Sequence, residues 1–136
     1  MLRRLIALSL LAFLLASCNA APTAEPSGNN DSGDPAAAQA VLSYLQAKAA
    51  TDRDGVRALL CSSMEAQLDI EAFSLAGLNA TLRDASCTTD PGNTTVTCTG
   101  AIVAEYGTET RDLLLTQYNV IQEDGEWRWC GETSAP

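Results

Sequence analysis

Histidine is absent from the 136 residues, and basic residues are scarce: 8 Lys and Arg stand against 17 Asp and Glu, for a net charge of −9. Without histidine the chain lacks the commonest general base and the commonest metal ligand, so any catalysis would depend on carboxylates, tyrosines or a cysteine. The scarcity of Lys and Arg argues against nucleic acid as a partner, because phosphate binding needs clustered basic side chains. We therefore expect no nucleic-acid partner, no metal site and no cofactor.

The chain also lacks an apolar run long enough to cross a membrane. A short basic start, Met1–Arg4, is followed by a largely apolar segment of twelve residues, Leu5–Ala16. A membrane-spanning helix needs about 20 such residues. A basic start followed by a short apolar core is typical of a secretory signal peptide.

The end of this segment, Leu15-Ala16-Ser17-Cys18, resembles the lipobox of bacterial prolipoproteins: an aliphatic residue, two small residues and a cysteine. The resemblance implies that residues 1–17 are a signal peptide and that Cys18 becomes the lipidated first residue of the mature chain. The lipid then anchors the protein to a membrane of the cell envelope, and Asn19 in place of an aspartate favours the outer membrane in a Gram-negative cell. Loss of Arg3 and Arg4 with the signal peptide brings the net charge to −11.

Residues 18–35 are predicted to be the lipidated cysteine and a disordered linker. Positions 19–33 contain only Ala, Pro, Thr, Ser, Gly, Asn and acidic residues. Such a segment cannot bury enough apolar surface to offset the entropy cost of ordering it. It is expected to act as a flexible tether of roughly 20 Å, which leaves residues 36–136 as one folded domain.

Helical signals occupy the first part of this domain. Asp34-Pro35 predicts a helix start, with an aspartate cap and a proline at the first helical position. Thr51-Asp52 predicts the end of that helix and the start of a second, and a third helix is expected around 65–76. The apolar positions predicted to face inward are Ala38, Val41, Leu42, Leu45, Ala49, Val56, Leu59, Leu60, Met64, Leu68, Ala72 and Phe73.

Strand signals occupy the second part, where apolar and polar residues alternate. Four strands are predicted, at Ala80–Thr89, Thr94–Tyr106, Glu109–Ile121 and Glu126–Gly131. The last two are joined by Asp124-Gly125, a strong signal for a type I′ hairpin turn. Helices followed by an antiparallel meander predict an α+β domain, with the helices on one face of a four-stranded sheet.

Two segments carry a family resemblance. The pattern Ala-Val-Leu-x-Tyr-Leu-x-Ala at 40–47, with Asp52-Arg53-Asp54 leading into residues 56–61, is similar to the opening of NTF2-like small lipoproteins. Residues 125–130 resemble the final strand of the same family. The resemblance implies a curved sheet that wraps around the helices as a cone, often with a pocket. The family contains both enzymes and binding modules, so the fold alone does not assign a function.

Four cysteines remain after Cys18: Cys61, Cys87, Cys98 and Cys130. In an exported domain this even number predicts two disulfides, for which three connectivities exist. A hairpin centred between residues 92 and 93 places Cys87 opposite Cys98, which leaves Cys61 for Cys130. The alternative of a four-cysteine zinc site is disfavoured, because the chain has no Cys-x-x-Cys pair.

Relatives of the ketosteroid-isomerase and dehydratase type place an acid or base and a tyrosine inside the cone. That resemblance nominates Tyr44, Tyr118, Asp84 and Asp112. The simpler interpretation makes the tyrosines rim or sheet residues and the aspartates solvated side chains. No signature fixes their geometry, so we assign no catalytic residue.

One face of the predicted sheet carries Val103, Leu114, Tyr118, Val120, Trp127 and Trp129. Tyr118, Trp127, Trp129 and Val103 are the pocket candidates on it. Such a stripe either lines a ligand site or forms the core under the helices, and we expect mostly core with at most a small cavity. The sequence thus predicts a non-catalytic domain that binds an unknown small molecule or protein. A ketosteroid-isomerase-like or dehydratase-like enzyme is the alternative.

Overall fold

The computed structural model describes residues 32–133. The predicted signal peptide, the predicted lipidation site Cys18 and the linker up to position 31 lie outside the described residues. Within the described part, no helix is long and apolar enough to span a membrane.

Helices come first and strands second, so the described chain has the predicted α+β class. The elements are α1 (Pro35–Ala49), α2 (Arg53–Leu59), a 3-10 helix (Ser62–Gln67), α3 (Leu68–Phe73), β1 (Thr81–Thr89), β2 (Thr95–Tyr106), β3 (Glu109–Leu114), β4 (Gln117–Glu123) and β5 (Glu126–Glu132). All strand pairs are antiparallel. The hydrophobic core lies between the helices and one face of this open sheet.

Helix α1 begins where the sequence predicts. The side chain of Asp34 accepts a hydrogen bond from the backbone N–H of Ala36 at 2.9 Å, and Pro35 occupies the first helical position. The first turn of a helix leaves several backbone N–H groups without partners. The Asp34 side chain accepts from one of them, and Pro35 has no N–H group to leave unpaired. The buried residues of α1 are Ala37, Ala38, Val41, Tyr44, Leu45 and Ala49.

The predicted third helix differs from the observed structure. A 3-10 turn precedes a short α3, and Phe73, which was predicted to face inward, is 47 % exposed. The inward positions are Leu68, Ala72 and Leu75, spaced four and three residues apart along one stripe. Because a helix has 3.6 residues per turn, the side chain at position 73 lies well away from that buried stripe and faces solvent.

The predicted strand Glu109–Ile121 is interrupted at positions 115 and 116, so residues 32–133 contain five strands rather than the predicted four. Strands β3 and β4 both pair with β2, one with each half of it, and the sheet order is β1-β2-β4-β5 with β3 beside β2. Backbone pairing continues across the interruption through Leu115 N–H to Gly100 O at 3.0 Å and Cys98 N–H to Thr116 O at 2.9 Å. The backbone hydrogen bonds to β2 therefore continue from β3 to β4. The alternation of side chains between the two faces of the sheet shifts by one residue at the interruption.

A β-bulge distorts β1 between Arg83 and Ser86, opposite Gly100 of β2. Gly100 has a φ of 98°, and a Cβ placed there would lie 2.6 Å from the carbonyl oxygen of Arg83. Only glycine fits both the backbone conformation and this close approach.

The structure contains the two disulfides that the hairpin register favoured. Cys87 and Cys98 are direct partners across β1 and β2, with Cα atoms 4.1 Å apart. Cys61, which follows α2, is joined to Cys130 on β5 with a Cα separation of 5.3 Å. The second bond ties the helical half of the chain to the last strand.

The end of the predicted linker belongs to the fold. Gly33 N–H donates to Thr89 O at 2.9 Å, and Asp34 N–H donates to the side chain of Asn93 at 2.6 Å. The carboxylate of Asp34 also accepts from Trp127 Nε1 at 2.9 Å. Contacts far along the chain therefore hold residues 33 and 34 against the sheet.

Candidate functional site

A pocket of about 380 Å³ lies between the second half of α1, the turn after α3 and the sheet. All three tyrosines of the chain line it, so we call it the tyrosine pocket. Its polar lining consists of Tyr44, Lys48, Ser74, Tyr106, Tyr118 and Glu132, and its aliphatic lining of Leu45, Leu75, Ile102, Leu113, Leu114 and Leu115. An apolar lining with a few convergent polar groups is characteristic of small-molecule sites.

The α1 side of the pocket contains a closed polar cluster. The hydroxyl of Tyr44 donates to Glu71 Oε2 at 2.6 Å, and Lys48 Nζ donates to the same oxygen at 2.5 Å. Lys48 Nζ also lies 5.8 Å from the centre of the Tyr44 ring, within reach of a cation–π attraction. Burial, and next the hydrogen bond to Glu71, raise the pKa of Tyr44 far above its usual range. Tyr44 is therefore neutral, and its hydroxyl hydrogen bond is already made to Glu71. The charges of Lys48 and Glu71 cancel each other.

The sheet side of the pocket contains Tyr118, which is only 3 % exposed. It lies on β4 opposite Val96 of β2, and its hydroxyl oxygen accepts a long hydrogen bond of 3.4 Å from Thr116 N–H. Among residues 32–133 its hydroxyl proton has no acceptor. Burial raises the pKa of Tyr118, with the nearby charge of Glu132 acting in the same direction. Tyr118 therefore stays protonated as a donor.

The mouth of the pocket is apolar with one carboxylate. Leu114 is 78 % exposed at the rim, beside Tyr106 and Leu113. Glu132 is exposed and forms no ion pair with any other described residue. The mouth therefore presents apolar side chains and a single uncompensated negative charge.

The structure does not bring the nominated aspartates to the tyrosines. Asp84 lies in the β1 bulge at a φ of 51°, and Asp112 on β3 forms an exposed ion pair of 2.5 Å with Arg83. Neither lines the tyrosine pocket, whereas Tyr44 and Tyr118 both do. The pocket can bind an apolar molecule through one free hydroxyl donor, but it contains no aspartate for acid–base chemistry.

The pocket candidates from the sequence separate into four environments. Tyr118 lines the tyrosine pocket, but Trp129 is buried in the core, where its ring stacks on Tyr44 with centroids 4.1 Å apart. Trp127 lines a different, shallower groove beside α1 and α2. Val103 does not line the tyrosine pocket, contrary to the prediction. It pairs with Asp112 and lies on the opposite face of the sheet from Ile102.

The interruption of the strand explains this correction. If residues 109–121 formed one regular strand, Leu114 would share a face with Tyr118 and, through the pairing to β2, with Val103. The hairpin pairs Leu113, not Leu114, with the inward-facing Ile102. The break at positions 115 and 116 then shifts the alternation by one residue, so that Tyr118 pairs with Val96 and shares the inward face with Leu113 and Ile102. A one-residue shift moves every side chain to the other face.

Another hollow, of about 450 Å³, lies at the start of α1. It is lined by Ser32, Gly33, Pro35, Ala38, Gln39, Leu42, Cys87, Thr88 and Thr89. None of these side chains is charged and none is a tyrosine, so it offers less chemistry than the tyrosine pocket. In the described part of the chain no cluster of three or more potential metal ligands occurs.

Sequence reasoning missed Lys48, Glu71, Tyr106 and Glu132 as site residues. Only Lys48 had a local signal, since it lies four residues after Tyr44 on the same helix face. Tertiary packing of three separate elements brings Tyr106 and Glu132 to the pocket and Glu71 to the Tyr44–Lys48 pair that lines it.

Comparison with known proteins gave no match to this chain among protein-family models, curated proteins or solved structures.

Proposed function

We propose that this protein is a lipid-anchored lipoprotein of the bacterial envelope whose domain, a member of the NTF2-like class, binds a small ligand without catalysis. The observation that carries the binding role is the tyrosine pocket, with its aliphatic lining, apolar mouth and buried free hydroxyl. The α+β order of elements agrees with the NTF2-like resemblance but does not by itself define the cone.

The anchoring role is supported by the sequence. Leu15-Ala16-Ser17-Cys18 has the lipobox pattern directly after a short apolar core. Several acyl chains on one cysteine give stable membrane attachment, because each buried methylene contributes about 0.8 kcal/mol. We propose the outer membrane as the location in a Gram-negative cell, from Asn19 at the second mature position.

A ketosteroid-isomerase-like or dehydratase-like enzyme is the less favoured proposal. It requires an aspartate close to a tyrosine inside the pocket, and Asp84 and Asp112 lie outside it. The acid that does contact a pocket tyrosine, Glu71, is engaged by both Tyr44 and Lys48.

Changing Cys18 to Ser is expected to abolish acylation and to release the protein from the membrane fraction. Without the thiol there is no attachment point for diacylglycerol. Mass spectrometry of the N-terminal peptide and membrane fractionation measure the two effects. The matched control is Asn19→Ser, which keeps all four lipobox positions and should remain acylated. A wild-type N-terminal peptide with a free Cys18 thiol and no acyl mass would disprove the anchoring role.

The binding role is tested with prodan, a neutral fluorescent naphthalene that carries one ketone. The Cys18→Ser chain, free of lipid, should bind one prodan saturably. Leu113→Trp should weaken binding at least about tenfold, roughly 1.4 kcal/mol, because the larger ring blocks the pocket mouth. Ile121→Trp is the matched control, since Ile121 is 40 % exposed and Leu113 37 %, but Ile121 does not line the pocket. Equal weakening by both substitutions would place binding elsewhere.

A further inference from the structure

Among residues 32–133, the hydroxyl of Tyr118 is the one buried pocket donor without an acceptor, since Tyr106 is exposed at the mouth. Tyr44, the other buried tyrosine, donates to Glu71 at 2.6 Å. Tyr118 receives only the long contact from Thr116 N–H and donates to no atom in residues 32–133. Buried polar groups in proteins almost always have partners, so a buried O–H without an acceptor, on a residue that lines a cavity, points to an acceptor from outside the protein.

The charges around this hydroxyl limit what the acceptor can be. Lys48 is neutralised by Glu71, which leaves the negative charge of Glu132 without a partner near Tyr118. An anionic acceptor such as a carboxylate would be repelled by Glu132 and would lose its hydration on entering. A cationic group offers no lone pair to the Tyr118 proton. The acceptor that fits is an uncharged oxygen.

The remainder of the pocket defines the body of the ligand. Ile102 and five leucines make up half of the residues that line the cavity, whose volume is about 380 Å³. The hydrogen-bonding groups of the lining are Tyr118, Ser74 and the Tyr44–Lys48 pair inside, with Tyr106 and Glu132 at the mouth. A compact apolar molecule with one polar end matches this distribution.

We propose that the tyrosine pocket binds a neutral, compact, apolar molecule that carries one oxygen acceptor, a ketone, ester or alcohol, and that Tyr118 donates its hydroxyl proton to this oxygen. The inference rests on the proposed binding function and names the ligand class for the same pocket. Tyr118 is thereby the residue that selects for the oxygen, while the leucines bind the apolar body.

The test compares prodan with an analogue in which a methylene replaces the ketone, both titrated against the Cys18→Ser chain. Tyr118→Phe should weaken prodan binding by about three- to tenfold, the size of one neutral hydrogen bond. It should leave the affinity for the methylene analogue unchanged, which also shows that the pocket is intact. The emission of bound prodan should shift to shorter wavelength, because its ketone loses a hydrogen bond. Thr110→Val, which removes an exposed hydroxyl on β3 outside the pocket lining, is the control and should alter neither affinity.

A charged probe tests the requirement for a neutral acceptor. The same naphthalene ring with a carboxylate in place of the ketone should bind the Cys18→Ser chain at least about tenfold more weakly than prodan. Glu132→Gln should reduce that difference, because it removes the repelling charge and keeps the side chain's size. Tighter binding of the carboxylate than of the ketone would overturn the ligand class.

The remaining outcomes separate the two levels of the proposal. If Tyr118→Phe binds prodan with the affinity and emission of the parent chain, the role of Tyr118 is wrong while the binding function stands. If the parent chain binds the methylene analogue as tightly as prodan, the preference for an oxygen acceptor is wrong. If it binds no member of the series, the proposed binding function fails and the ligand class fails with it.

Discussion

Replacing Cys61 and Cys130 together by alanine is expected to destabilise the protein by about 4–5 kcal/mol. This disulfide joins residues 69 positions apart, and the chain-entropy model assigns the largest stabilisation to long closed loops. The loss is a large part of the total stability of a domain of this size, about 5–15 kcal/mol. Denaturant unfolding followed by circular dichroism measures it, and many molecules of the double variant should be unfolded at physiological temperature.

The Cys87–Cys98 pair provides a matched comparison. Its partners are 11 positions apart, so the same model assigns about 3 kcal/mol to it. The Cys87→Ala, Cys98→Ala chain should therefore melt at a higher temperature than the Cys61→Ala, Cys130→Ala chain, by roughly 6–12 °C. Treating the unsubstituted protein with a reductant should lower stability further than either double substitution.

Two results would contradict this ranking. Greater destabilisation by loss of the short loop would show that native contacts, rather than loop closure, dominate the effect. Peptide mapping under non-reducing conditions that joined Cys61 to Cys87 would show a different connectivity and a different register for the first hairpin.

The sequence carries local signals that locate several boundaries correctly. Asp34-Pro35 determines where α1 begins, because an aspartate cap and a proline act within one turn of chain. Asp124-Gly125 forms the predicted tight turn, with φ angles of 52° and 81° that match a type I′ hairpin. The register that pairs Cys87 with Cys98 also follows from a local turn. In each case, residues within a few positions decide the conformation.

The sequence could not reveal the features that depend on distant contacts. The interruption at positions 115 and 116 occurs within a run of good strand residues, where no glycine or proline announces it. It puts Tyr118 of β4 on the face of the sheet opposite to Leu114 and Val103. The hydrogen bonds that tie Asp34 to Asn93 and Trp127 likewise join positions 59 and 93 residues apart.

The tyrosine pocket was only partly predictable for the same reason. The residue type of Tyr44 and Tyr118 suits such a site, and both do line it. The residue type of Asp84 and Asp112 suits the partner acid as well, but the fold places them elsewhere. The acid that does contact Tyr44 is Glu71, which depends on how α3 packs against α1.

Changing Trp129 to Ala is expected to cost about 3–5 kcal/mol, the usual range for removing a large buried aromatic side chain. Trp129 is 2 % exposed, and its ring lies parallel to that of Tyr44, with an interplanar angle of 11° and centroids 4.1 Å apart. The substitution therefore opens a cavity beside both α1 and the segment after α2. The melting temperature should fall by well over ten degrees, at about 4–8 °C per kcal/mol.

Trp129→Phe is the control that separates the ring from its N–H group. The indole Nε1 of Trp129 is buried and has no hydrogen-bond partner in the described part of the chain. An unmade buried hydrogen bond costs about 1–3 kcal/mol, so its removal offsets part of the lost ring volume. Phenylalanine keeps an aromatic surface against Tyr44, and its total cost should stay below about 1.5 kcal/mol.

If Trp129→Ala instead melted within a degree or two of the parent chain and lost only prodan binding, Trp129 would line the ligand site rather than fill the core. The small expected loss for phenylalanine beside a large loss for alanine would assign the stabilisation to ring packing against α1.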